Sequence, residues 1–447
     1  MLLEHYKKTI RLAVPVMIAQ AGQMVVQFAD NIMVGHLGTE ELAGVSFAGN
    51  IMLIGFVFFI CFSHGATPFI GQSFGKGNTM EVLKWFRHSH YLNMAIGGLT
   101  ILLMVLVVPF MDHMGQDPSI LVYAREYYWI SLASIIPAIF FFTIKNFSEG
   151  IGITKYAMYI TLLTNLLNIF LNWLLIYGKW GLPQMGVAGA ATATLISRIL
   201  CLAIFSYIIG KLPVYTAFTK IKERGKLEWS AFRQLISTSL PIGLQGLFEV
   251  TSFSLCAIMA GWISKEAIAG YQITNIMCTL SFLIAEGLGV AATINVSHSF
   301  GQGNIAAARK SGFAATHLAI IFMGIAGILY TLFRKQIPYI FTDDPAVAGF
   351  ASGMLIIAAL FQIFDATQMA GFSALRGLKD VNIPFLYSFA AYYIIGLPSA
   401  YIITFTFDAG ANGIWIGLAL GLFTVAILSQ IRFGKLTSTK LCSTRER

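Results

Sequence analysis

Four carboxylates, Asp30, Glu249, Glu286 and Asp365, fall inside long apolar stretches of the chain. A charged side chain at the centre of a bilayer costs roughly 2.5–3.5 kcal/mol on insertion scales, so such groups usually line a water-filled cavity or an ion path. Carboxylate oxygens are hard donors that suit alkali cations or a shuttled proton, whereas a transition metal would favour His or Cys. No His cluster accompanies these acids, and four of the five cysteines (Cys61, Cys201, Cys256, Cys278) lie in apolar segments without CxxC spacing. Glu249 and Asp365 form the candidate cation pair, with Gln245, Tyr271, Gln272, Asn275, Gln362 and Thr367 available to complete a shell. Two carboxylates held close share a proton more readily than either alone, so the same pair could carry H⁺. Asp30 has candidate amide partners in Asn165, Asn168 and Asn172, the last two spaced i, i+4 and hence on one helix face. Glu286 sits in Ala285-Glu286-Gly287-Leu288-Gly289, where glycines could let a helix bend, and either joins the pair or faces a separate cavity.

The elements that position these acids are membrane helices. Of the 447 residues, 57% are apolar and only 11% charged, against roughly 25% charged in an average soluble domain. Apolar runs long enough to cross ~30 Å of hydrocarbon lie at 10–34, 43–73, 86–111, 122–149, 155–178, 186–210, 231–260, 267–299, 311–333, 347–374, 382–405 and 411–433. The expected class is an all-α integral membrane protein with twelve transmembrane helices. The first run is too long for a cleavable signal and should persist. Of the 29 Lys and Arg, all but Arg125, Lys179, Lys265, Arg334, Lys335 and Arg198 fall at the N-terminus or in alternate loops (75–88, 145–155, 211–233, 309–310, 376–379, 432–447). That excess marks the cytoplasmic side and places both termini there. Arg198 lies within the sixth helix, and its long stem is expected to reach toward the cytoplasmic end. The net charge of +9 belongs to these loops, and no soluble basic domain with interleaved aromatics suggests a nucleic-acid partner.

The chain also reads twice. At an offset of 226 residues Pro15 meets Pro241, Ala66-Thr67 meets Ala292-Thr293, and Ser73-Phe74-Gly75-Lys76-Gly77-Asn78 meets Ser299-Phe300-Gly301-Gln302-Gly303-Asn304. Six helices per copy return the chain to the same side, so the two copies are parallel repeats. The division by chain order is an N-lobe (1–210), a cytoplasmic linker (211–230), a C-lobe (231–433) and a cytoplasmic tail (434–447). Parallel repeats recur in transporters whose substrate site lies between halves that alternate in access. The acids break the symmetry, since Asp30 aligns with Cys256, Glu249 with Gln23 and, with a one-residue shift, Asp365 with Ala138.

Gly71-Gln72-Ser73-Phe74-Gly75 fits the hydrolase pattern G-x-S-x-G, but that elbow needs a strand-to-helix turn followed by Asp and His. Here it ends a membrane helix, and its repeat mate lacks the first glycine, so a repeat-end turn is expected and not an enzyme. Without HExxH or Walker A, the expected energy source is an ion gradient or the substrate's own. A passive channel is disfavoured because the polar residues form no repeated ring.

Several ordered segments resemble the multidrug and toxic compound extrusion (MATE) family, in its bacterial NorM-like branch, over the whole chain. They are Leu12-Ala13-Val14-Pro15, Phe28-Ala29-Asp30-Asn31-Ile32-Met33-Val34-Gly35, Ser148-Glu149-Gly150, Leu167-Asn168-Ile169-Phe170-Leu171-Asn172-Trp173, Phe248-Glu249-Val250, Phe364-Asp365-Ala366 and Ala374-Leu375-Arg376-Gly377. The resemblance implies a secondary antiporter of the bacterial cytoplasmic membrane that expels amphipathic cationic drugs in exchange for Na⁺ or H⁺, with no cofactor and no obligate protein partner beyond the lipid. The family's first-helix acid maps onto Asp30, its fifth-helix partners onto Asn168 and Asn172, and a sixth-helix threonine onto Thr194. Its cation-site carboxylates map onto Glu249 and Asp365. Two departures stand out: Phe361 replaces a tyrosine one turn before the tenth-helix acid, and Ala285-Glu286 replaces a proline before the eighth-helix bend. The alternative is a flippase for a lipid-linked saccharide, which should show cationic cavity residues where this chain has four acids and Arg198.

Overall fold

The computed structural model describes residues 2–219 and 226–445, with side chains through residue 439. Residues 220–225 of the expected linker, and Cys442 and the tail side chains beyond 439, lie outside the described residues. Among the described residues there is no strand, and the chain is a series of membrane-length helices. They are α1 (Leu2–Gly35), α2 (Thr39–Gly75), α3 (Thr79–His113), the bent α4 (Pro118–Ala133 and Ile135–Gly150), α5 (Lys155–Ile176) and α6 (Gly186–Lys211). The second repeat gives α7 (Trp229–Ile263), α8 (Lys265–Gly301), α9 (Ile305–Phe333), α10 (Pro345–Gly377), α11 (Asn382–Thr406) and α12 (Ala411–Thr439). With α4 counted as one span, the twelve apolar runs of the sequence each become a helix.

The 40° bend of α4 has a local cause. Pro137 lacks an N–H and its ring clashes with the carbonyl four residues earlier, which is Ala133, where the first segment ends. The repeated Ser-Phe-Gly-x-Gly-Asn turn is explained in the same terms. Gly77 and Gly303 adopt left-handed φ values of 72° and 74°, which glycine tolerates without penalty. Asn78 and Asn304 then cap α3 and α9 by accepting from the Glu81 and Ala307 amides at 3.0 and 2.9 Å, satisfying N–H groups the helix leaves open.

Packing divides the chain into two compact units that differ from the division by chain order. The first holds Ile18–Ile70 and Asn78–Gly243; the second holds Met1–Met17, Gly71–Gly77 and Leu244–Arg447. Thus α1 and α7 each pass from one unit to the other two residues beyond Pro15 and Pro241. The start of α1 joins the second unit because Ala13 packs with Ala285, Leu288, Ala319 and Ala370, His5 bonds Ser311 at 2.9 Å, and Asn295 donates to Thr9 at 3.3 Å. The end of α2 joins it through a reciprocal crossing. A Cβ on Gly75 would stand 2.3 Å from the His298 carbonyl oxygen, and one on Gly301 would stand 2.1 Å from that of Gln72. These are equivalent repeat positions, so the two helix ends meet backbone to backbone. Gln72 Nε2 also donates to the Gly377 carbonyl at 2.9 Å, and Ser73 is buried at this crossing. The G-x-S-x-G segment is therefore a packing turn.

Between lipid-facing helices apolar burial gains little, so close packing of small residues must hold the bundle. In the second unit Gly413, Gly417 and Gly421 form a stripe on α12, and added Cβ atoms would meet Thr404 N, Ala400 N and Ala391 O of α11 at 2.6, 2.2 and 2.4 Å. Along this contact α11 widens into π-helical turns over Ala390–Gly396 and Ile402–Thr406. Trp415, Tyr271 and Phe361 are buried in that unit's core, and Tyr128, Phe59 and Phe205 in the core of the first.

Candidate functional site

In the first unit, α5 runs alongside the second half of α1. An added Cβ on Gly22 would meet Asn165, Asn172 donates to the Asp30 carboxylate, and Tyr177 Oη donates to the Met33 carbonyl at 2.9 Å. Of the three amides on α5, only Asn172 reaches Asp30. Asn165 lies farther along, opposite Gly22, because successive matches on two helices running side by side advance by turns. Asn172 Nδ2 also approaches Asn168 Oδ1 at 3.2 Å, and Asn168 Nδ2 lies 3.5 Å from Thr194 Oγ1 on α6. Asp30, Asn172, Asn168 and Thr194 therefore form a polar chain from α1 through α5 to α6. Asp30 is half-buried.

Arg198 departs from the expectation that it reaches toward the cytoplasmic end. Its Nη1 donates to Ser134 Oγ at 2.7 Å, and the guanidinium lies 4.8 Å from the Phe56 ring centroid. Ser134 is the residue at the Pro137-induced bend, so the break in α4 supplies the acceptor. A second cationic group was assigned by sequence to a loop and is in fact buried inside α4. Lys145 Nζ lies 3.5 Å from Glu149 Oε1, with side-chain exposures of 10% and 1%.

In the second unit, Glu249 on α7 and Asp365 on α10 lie within electrostatic reach of each other, and Glu286 on α8 within reach of Glu249. Among the described residues no side chain or amide donates a hydrogen bond to Glu249 or Asp365, and Asp365 is only 7% exposed. Nearby buried nitrogens are left over: Gln245 Nε2 and Gln362 Nε2 have no partner, although Gln362 Oε1 accepts from Ser281 at 2.7 Å. Buried polar atoms are rarely left so unless a water or ion completes the site, and neighbouring carboxylates share a proton or cation more readily than a lone one. The donor set, hard oxygens without thiolate or imidazole, fits Na⁺ or H⁺.

Other residues expected in this shell are placed elsewhere. Tyr271 Oη donates to the Phe253 carbonyl at 3.0 Å, Thr367 Oγ1 donates to the Ile363 carbonyl at 2.7 Å, and Gln272 is exposed while Asn275 is half-buried. Phe361 packs against Trp415, with ring centroids 5.2 Å apart, as a core residue. α8 remains helical through Glu286, and Gly287 and Gly289 serve as close-contact points against Ala13 and Ser373 instead of a break. Sequence reasoning missed Tyr392, which is buried within electrostatic reach of both Glu249 and Asp365 and beside Gln368. Its only signal was the Tyr392-Tyr393 pair on α11. Among the described residues no cluster of three or more His, Cys, Asp or Glu could hold a metal ion.

A family model described as MatE matches the chain twice, over residues 15–174 and 241–402, beginning at the two repeated prolines. A probable multidrug resistance protein NorM of Rhizobium meliloti (strain 1021) is 29% identical over 437 residues, covering 97% of this chain and 94% of the relative. A multidrug resistance protein MdtK of Edwardsiella ictaluri (strain 93-146) is 31% identical, covering 95% and 94%. Among solved structures, an outward-facing multidrug resistance MATE family transporter of the MOP superfamily superposes with a TM-score of 0.88 at 22% identity, covering 98% of this chain and 96% of that one. A MATE structure in a straight conformation gives 0.89 at 22% identity, covering 98% and 97%.

Proposed function

Because the chain belongs to the MatE family, a family of membrane transporters and not of enzymes, we propose that it is a secondary antiporter that exports amphipathic organic cations in exchange for Na⁺ or H⁺. The observation that carries this reading is the Glu249 and Asp365 pair, two intramembrane acids that receive no hydrogen bond among the described residues. Such a pair is completed by a monovalent cation or a proton. Asp30, bonded to Asn172, supplies a second and separate negative site for a cationic drug. Linkage makes the coupling reciprocal: whatever ion binding does to drug affinity, drug binding does to ion affinity. A tenfold ion gradient supplies about 1.4 kcal/mol per ion. Exchanging two monovalent cations for one would add about 2.3 kcal/mol per 100 mV of membrane potential. The names of the relatives, multidrug resistance proteins of bacteria, support drug export across a bacterial cytoplasmic membrane, with both termini inside by the charge of the loops.

The test is ethidium transport by reconstituted vesicles under a Na⁺ gradient or a pH gradient imposed separately. Transport driven by either gradient names the ion. Transport driven by neither removes the antiport reading and leaves the lipid-linked saccharide flippase.

A further inference from the structure

In the second unit, α9 and α10 leave between them an apolar groove of about 380 Å³ that none of the four acids lines. Gly324, Gly327, Ile328 and Leu332 form the α9 wall, and Ala359 and Leu360 stand in the α10 wall. The groove has a local origin. An added Cβ on Gly327 would stand 2.7 Å from the Ala359 carbonyl oxygen, so the helices touch there, whereas one on Gly324 would meet nothing within 4 Å. One turn from the tightest contact, the missing side chain therefore leaves open space. The fold itself does not demand it. At the 226-residue offset, with the one-residue shift that Asp365 also needs, Gly327 and Ala359 stand where the first repeat has Ile101 and Leu132. Ile328, Leu332 and Leu360 are exposed, so the groove opens outward on membrane-length helices, where the surrounding medium is hydrocarbon. A hollow left empty there would forfeit dispersion contacts along both walls.

One end of the groove is charged. The wall from Gly324 to Leu332 is ~12 Å long at 1.5 Å per residue, and the backbone stays helical through Arg334 (φ −52°, ψ −30°). Lys335 follows Leu332 at i+3 and Ile328 at i+7, so it stands on the groove face one turn beyond the last apolar wall residue. Arg334 and Lys335 are the one adjacent basic pair in the loops read as facing away from the cytoplasm. Among the described residues neither makes an ion pair, whereas Arg125 is paired with Asp112. Asp343 and Asp344 follow in the same loop, and Asp344 caps α10 by accepting from the Ala346 amide at 2.8 Å. We infer that the groove is a binding site for an anionic phospholipid, with an acyl chain along Gly324, Ile328 and Leu332 and the phosphate at Lys335 and Arg334. The long stems of both side chains lie along apolar surface while their charged heads stay in water at headgroup level. A helix of a second copy would cover the groove but leave the two cations unmatched.

Native mass spectrometry of the purified full-length chain tests the assignment without reference to transport. The protein is titrated with phosphatidylglycerol or with phosphatidylcholine of the same acyl chains. Wild type is expected to hold phosphatidylglycerol roughly tenfold or more tightly, since each basic residue near an anionic headgroup contributes roughly fivefold. The double variant Arg334→Gln, Lys335→Gln should lose that preference and keep its affinity for phosphatidylcholine. Gly324→Leu places a side chain in open space, and should lower retention of both lipids while the thermal midpoint stays at the wild-type value. Free glycerol phosphate should displace neither lipid, because the acyl chain is part of the site; displacement would reassign the cations to a soluble phosphate. Equal retention of the two lipids by wild type, an undiminished preference in the double variant, or wild-type retention by Gly324→Leu would overturn the inference. A dimer that Gly324→Leu dissociates would also overturn it, by giving the groove to a second copy of the chain.

Discussion

Asp30 and the Glu249 and Asp365 pair are intramembrane acids on equivalent scaffolds, yet they are finished differently. Asp30 has a donor brought to it by α5, an amide chain behind that donor, and a fixed cation one turn farther on. Glu249 and Asp365 have each other, a third acid within reach, and no donor among the described residues. On the proposed function, the first arrangement receives the positive group of a ligand and the second a small cation or proton. A duplicated fold can thus hold a substrate end and an ion end without the two competing for the same residues.

The largest expected effect comes from neutralising the incomplete site. The combined variant Glu249→Gln, Asp365→Asn should lower ion-driven ethidium transport to the level of empty vesicles while the purified protein stays monodisperse. Residual transport that still follows the gradient would place the ion elsewhere. At the finished site, Asn172→Leu removes the donor to Asp30, and a hydrogen bond to a charged group is worth about 1.5–3 kcal/mol. Ethidium transport should therefore fall roughly tenfold or more, with the ion preference unchanged. A variant as active as wild type would show that the amide does not set drug affinity.

Tyr271→Phe sharpens the boundary of the second site. Because its hydroxyl is committed to the Phe253 carbonyl, the substitution should cost about 1 kcal/mol of stability and leave the ion dependence of transport unaltered; a changed ion dependence would return Tyr271 to the shell. The smallest effect is expected far from either site, where Glu228 accepts from Lys84 at 2.7 Å. That hydrogen bond holds the Glu228 carboxyl below its usual value of 4.5. A lowered folded-state value stabilises above the usual carboxylate range and is lost as pH falls through it. The pair is exposed and screened, so Glu228→Gln should lower the thermal midpoint at pH 7 only slightly and leave it unchanged at acid pH, which reduces its drop on acidification and which thermal unfolding at several pH values would measure.

Much of the fold was legible because the signals were long: twelve apolar runs and a 226-residue offset anchored by Pro15 and Pro241. Asp30 with Asn172 was legible for a local reason, the i, i+4 spacing that puts Asn168 and Asn172 on one face. Three things required the packed structure. The assignment of Met1–Met17 to the second unit depends on which neighbour an apolar helix face meets, which a membrane helix's uniform hydropathy conceals. Tyr271 turns its hydroxyl to the Phe253 carbonyl, and the unexpected Tyr392 lies within reach of both acids, because hydroxyl direction is set by packing. Arg198 was read as reaching for the cytoplasm because its acceptor, Ser134, is exposed for bonding only by the bend that Pro137 imposes.

The measurement that bears most directly on the account is ethidium binding to the purified protein across a series of Na⁺ concentrations and pH values, for wild type and for the Glu249→Gln, Asp365→Asn variant. Binding by wild type should weaken as one of the two ions rises, and the variant should bind ethidium with an affinity independent of that ion. Binding that ignores both ions in wild type, or an ion dependence that survives in the variant, would contradict a coupling site at Glu249 and Asp365.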